Sequence, residues 1–130
     1  MKPDNEKGQA AAELALVLPV LLLILFGCID LGRVFASWMT LTNAAREGAR
    51  FGSMHPLDVP GIRNAALAEA TAGGLTGVSV AVSTAGSGTG DPSITVDTAG
   101  TVKLVTPIPG TRVVTMQASA TMVVMNEGGS

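Results

Sequence analysis

Glu13 stands five positions after Gly8, at the mouth of an apolar run of 16 residues from Leu14 to Ile29. A carboxylate entering hydrocarbon costs about 2.5–3.5 kcal/mol on insertion scales, so an acid at such a place needs a partner. The spacing offers one. Cutting the chain between Gly8 and Gln9 would create an ammonium group within about a turn and a half of Glu13, on its own chain or on a neighbouring one. An acid neutralised by a newly made amine is a means of bringing subunits together.

Further along, Asp30 and Arg33 are three apart at the outer edge of the run, a spacing that lets them pair on one helix face. The plainer reading is an interfacial stop. Glu47 and Arg50, beside Arg46, repeat the spacing, and an ordinary solvated face would look the same. Leu25-Phe26-Gly27-Cys28 resembles the small-residue approach to an acylated cysteine, so lipidation at Cys28 stands as an alternative to a buried spectator thiol. Phe26 is larger than that pattern prefers, and cutting there would discard Glu13.

Catalysis finds no purchase. The one histidine, His55, precedes Pro56, where it reads as a turn residue, and no acid–His–Ser constellation accompanies it. Gly86–Gly90 lacks the Lys-Ser/Thr pair of a phosphate loop and precedes a strand pattern rather than a helix. A single cysteine and a single histidine make no structural zinc site, and no cofactor or metal is expected. Charged residues are 14% of the chain and the formal net charge is -2, which leaves no basic footprint for nucleic acid. Hydrophobic residues make up 47% but aromatics only 3%, so the apolar content is Ala, Val and Leu, suited to close helix packing.

Long elements must position these residues. Residues 1–8 are polar, as a processing leader or a cytoplasmic tail would be. Leu14–Ile29, with Ala10–Ala12 before it, approaches the roughly 20 residues that span hydrocarbon, with Pro19 as a point of bending. Lys2 and Lys7 against Arg33 and Arg46 give a weak bias for the N-terminus inside. Helical spacing continues through Leu31, Val34, Phe35, Trp38, Leu41, Ala45, Ala49 and Gly52. The pattern therefore predicts one helix over residues 9–52, membrane-embedded to about residue 30, and ended by His55-Pro56.

Residues 53–130 read as a small extracytoplasmic head. Asp58 is an N-cap, Pro60 lies in the first turn, and Ile62, Ala65, Ala66, Leu67 and Ala70 form a short helix closed by Gly73-Gly74. Alternation then predicts four antiparallel strands, around Val78–Val82, Ile94–Val96, Val102–Leu104 and Val114–Val124. The fold class is α+β.

The runs Gly8-Gln9-Ala-Ala-Ala-Glu13-Leu-Ala-Leu-Val-Leu-Pro19, Phe26-Gly27-Cys28-Ile-Asp30-Leu-Gly32-Arg33 and Leu41-Thr-Asn43-Ala-Ala-Arg46-Glu47-Gly48-Ala-Arg50 closely resemble the TadE-like family of tight-adherence pilus proteins, which are pseudopilins. The resemblance implies a bacterial inner-membrane precursor, single-pass with its head outside, that reaches the cell surface with the pilus. It also implies cleavage after Gly8 by a prepilin peptidase, methylation or exposure of the Gln9 amine, and Glu13 as the acid used in subunit recruitment. Partners implied are other pilins or pseudopilins through the N-terminal helix, the prepilin peptidase, the inner-membrane assembly platform and the lipid bilayer. Gln9 replaces the aromatic of the usual type IV pilin start, and Leu14 follows Glu13 where the major tight-adherence pilin has tyrosine, so a minor subunit fits better than the main filament protein. A membrane-tethered binding or adhesion module is the alternative from a different class.

Overall fold

The computed structural model describes residues 4–86, 91–106, 110 and 113–125. The first element, α1, is a single helix over Asp4–Met54, 51 residues long and helical on both sides of Pro19. At 1.5 Å per residue it measures about 75 Å, more than twice the thickness of a bilayer's hydrocarbon core. It stops one residue before His55-Pro56, where the α region is closed to the residue ahead of proline.

A tight turn leads into α2, Val59–Ala72. The Asp58 carboxylate accepts the Gly61 N–H at 2.9 Å, satisfying one of the orphan donors of the first turn, and Pro60 needs no acceptor there. At the other end the amides of Gly73, Gly74 and Leu75 donate to the carbonyls of Glu69, Thr71 and Ala70. Gly74 closes the helix with φ of +83°, a conformation that favours glycine.

Three strands follow, β1 (Ser79–Ala85), β2 (Ser93–Lys103) and β3 (Val113–Val123), in the antiparallel order β1-β2-β3. Val82 faces Val96 across the first pair, and Val96 faces Ala120 across the second. Among the described residues the strand count is three rather than the predicted four, because Ile94–Val96 and Val102 belong to one continuous strand and Leu104 lies just past its end. Two residues disguised this continuity. Thr98 sits on the inward face at 1% exposure, with its hydroxyl 3.0 Å from the Leu41 carbonyl and 3.2 Å from that of Ala118. Gly100 is also inward: a Cβ there would stand 3.3 Å from Leu41 Cδ2, so the missing side chain lets α1 lie close on the sheet.

The core is built from the outer half of α1, one face of α2 and the inner face of the sheet. Ala49, Ile62, Ala66, Ile94 and Val96 form one buried cluster, while Leu41, Val102 and Met116 form a second nearer the apolar run. Small residues set the spacing. A Cβ on Gly48 would stand 3.0 Å from Ala66 Cβ and 3.2 Å from Val96 Cγ1, and one on Gly52 would crowd Ile62 and Ile94. Met125 donates its amide to the Ser53 carbonyl at 3.1 Å, tying the strand that leaves the sheet to the end of α1.

Candidate functional site

From Gly8 to Leu25, α1 stands clear of the core. Every residue from Gly8 to Leu25 is exposed, including Leu14, Leu16, Ile24 and Leu25. This is the one helix among the described residues that is long and apolar enough to cross a membrane, and almost none of its most apolar window is buried. Water would not tolerate so much contiguous apolar surface, which normally marks an interaction with lipid or protein.

Gly8, Gln9 and Glu13 all lie on this stem, helical and exposed. Gln9 and Glu13 are four apart, so they share a helix face about 6 Å apart along the axis. The ion pairs among the described residues are Asp30–Arg33 and Glu47–Arg50, and Glu13 enters neither. Gly8, Gly27 and Gly32 have open space where a Cβ would go. Gly27 and Gly32 are five positions apart, roughly 140° around the helix, so they do not make one small-residue stripe. Cys28 is an exposed free thiol on the stem.

Asp30 is where stem becomes head. It is only 5% exposed. Its Oδ1 accepts the Val105 N–H at 2.7 Å, and its Oδ2 accepts the Thr106 N–H at 2.7 Å together with the Thr106 hydroxyl. One carboxylate thus holds two consecutive backbone amides of the segment leaving β2, 75 residues away in sequence, like a helix cap supplied from outside. The Thr106 hydroxyl, with the Val105 amide next, draws the carboxyl below the usual aspartate range; burial opposes the shift, and the Thr106 amide and Arg33 reinforce it. The anticipated Asp30–Arg33 pair is present but loose, at 3.8 Å. Asp30 was visible in the sequence as a residue of interest, but its partners were not, because backbone donors leave no mark in the pattern.

The Asn43–Arg50 stretch divides by face. Gly48 and Ala49 are buried against α2 and β2, whereas Asn43, Arg46 and Arg50 are exposed. Glu47 accepts from Arg50 through both oxygens, at 2.6 and 3.0 Å. The Arg50 hydrogen bond draws the Glu47 carboxyl down, and Glu47 in turn raises Arg50. Among the described residues no group of three His, Cys, Asp or Glu side chains is placed to hold a metal ion.

Geometry and exposure define a stem-and-head protein, whose apolar helix projects from a small α+β head that shares its outer half. Residues 8–50, a third of the chain, match the family model described as TadE-like protein, so the likeness to that family lies in the N-terminal region, on the long apolar helix. No curated protein matches the chain, and neither does any solved structure. The match covers Gly8, Glu13, Asp30, Arg33 and the Asn43–Arg50 stretch, and stops before α2 and the sheet.

Proposed function

We propose that this chain is a structural, non-catalytic subunit of a tight-adherence pilus, a minor pseudopilin held in the inner membrane by α1 with its head outside. The observation that carries the reading is the coincidence of the family match with a stem whose apolar side chains find no partner within the chain. A prepilin peptidase hydrolyses the Gly8–Gln9 bond, removing the polar residues 1–8 and leaving an α-ammonium on Gln9. Such an amine has a pKa near 7.7–8.0 in the reference state, so it is largely charged at neutral pH. Glu13 of the same or a neighbouring stem neutralises it, which gives the acid a reason to leave lipid for a bundle of stems. The assembly platform and the other pilins then meet this chain through α1.

Glu13→Ala tests the reading: membrane insertion is expected to stay normal while pilus assembly falls, measured by counting filaments on cells. Normal piliation in that variant would contradict it. Gly8→Leu is expected to block processing and leave the longer chain on a gel, whereas an unchanged band would mean that this subunit works uncleaved.

One observation favours a second reading, in which the stem is only an anchor for a binding module. The outer face of the sheet has a shallow depression floored by Ala81 and Ala99 and lined by polar Ser79, Asp97, Gln117 and Ser119. Replacing residues 1–35 with an unrelated membrane anchor separates the two. Retained function would favour the binding module; lost assembly favours the pseudopilin.

A further inference from the structure

Beside the Asp30 clasp, a groove of about 470 Å³ opens between α1, the end of α2 and the end of β2. Arg33 and Lys103 bring two cations to it, and Ser37, Thr76 and Thr101 bring hydroxyls. Both cations are exposed, and they come from positions 70 residues apart. Arg33 has one acidic neighbour, Asp30, at 3.8 Å, and the Asp30 oxygens already accept from Val105 and Thr106. Most of the guanidinium's five donors are therefore unspent. Lys103 enters neither of the two ion pairs among the described residues. The nearby C-terminal end of α2 would oppose an anion, but its carbonyls at Glu69, Ala70 and Thr71 already accept the amides of Gly73, Leu75 and Gly74.

The height of the groove on the stem points to the ligand. Arg33 lies four residues past Ile29, about 6 Å along the axis, and the polar layer of a bilayer extends about 5–7 Å beyond each side of its hydrocarbon core. The groove therefore opens at the level of the lipid headgroups. A phosphate fits the donor set, since an Arg fork takes two of its oxygens, a Lys ammonium supplies a point charge and hydroxyls complete the shell.

We infer that the Arg33–Lys103 groove binds an anionic phosphate group, supplied by the headgroup of an anionic membrane lipid. The inference rests on the membrane reading of α1 given above. It assigns the head a second hold on the bilayer, on the side of α1 that carries Arg33.

The test uses the full chain in nanodiscs of phosphatidylcholine with a minority of phosphatidylglycerol, with retained lipid counted by native mass spectrometry. Phosphatidylglycerol should be enriched over its bulk share, roughly fivefold or more for two basic residues at an anionic surface. Arg33→Gln with Lys103→Gln should return the ratio to bulk, and Arg33→Lys with Lys103→Arg should keep the enrichment. A bulk ratio in the wild type, or undiminished enrichment in the double Gln variant, would overturn the proposal. Inorganic phosphate titrated against the detergent-solubilised chain, followed by the Thr101 and Lys103 amide signals, separates the two phosphate sources. Saturable shifts lost in the double Gln variant, without lipid enrichment, would support a phosphate site and overturn the lipid source. If the chain fails to enter nanodiscs, the membrane reading falls, and the same titration then decides the phosphate site alone.

Discussion

The two halves of α1 have the same backbone and opposite surroundings. From Leu14 to Leu25 the helix carries mostly large apolar side chains, every one of them exposed. From Asp30 to Met54 it carries Ala44, Ala45, Gly48, Ala49 and Gly52 on the face that α2 and the sheet approach. Bulk around the first half and small residues where α2 and the sheet press on the second are two answers to one requirement, since an apolar face must be covered. The head covers one face of the outer half and leaves Leu31, Phe35, Trp38 and Met39 exposed on the other; the inner half must be covered by lipid or by other stems. Secondary structure therefore does not tell the halves apart, and the size of the side chains on each face does.

Core substitutions sharpen the contrast most. Ile94→Ala removes a fully buried side chain from the cluster around Ala49 and Ile62 and is expected to destabilise the head by about 2–5 kcal/mol, read from urea unfolding of the full chain in detergent micelles. Leu21→Ala on the stem removes as much apolar volume but is expected to shift the same transition by less than about 0.5 kcal/mol. Equal effects would mean that the stem's inner half packs on the head.

Next in size is Gly48→Leu, which drives a side chain into Ala66 and Val96 and is expected to cost about 1–3 kcal/mol or more. Gly27→Leu, in open space on the stem, is expected to leave the head's unfolding midpoint where it is.

The clasp gives a smaller, pH-dependent effect. Asp30 has a lowered carboxyl pKa in the folded chain, so its contribution is fully present above the unfolded aspartate value of about 3.9 and is lost as pH falls through the folded value. Wild type and Asp30→Asn should differ in unfolding midpoint by a constant amount between neutral pH and about pH 5, and converge as the medium is made more acidic than about pH 4. A gap that stays constant down to strong acid would deny the carboxylate its role. Smallest of all is Glu47→Gln on the exposed face: the pair with Arg50 is screened by solvent, and no change in midpoint is expected.

Much of this architecture was legible in the chain. Three- and four-residue spacing predicted α1, His55-Pro56 its end, and Asp58, Pro60 and Gly73-Gly74 the bounds of α2. Strand alternation was legible wherever inward residues were apolar, and misled where Thr98 and Gly100 took inward positions in β2. Those two are explained only by what α1 brings to the sheet, the Leu41 carbonyl and side chain. Gly8, Gln9 and Glu13 stand out in the sequence by type and spacing, because the chemistry proposed for them is local. The clasp and the groove were not, because each joins the stem to residues some 70 positions later through folding alone.

In the proposed function, proteolysis next to Gln9 makes the amine that Glu13 neutralises. It is tested most directly by mass spectrometry of the N-terminal peptide of the protein isolated from the membrane and pilus fractions of cells. The account predicts a chain beginning at Gln9, in filaments as well as in the membrane. A chain that retains residues 1–8 and is found only as dispersed single subunits would contradict it.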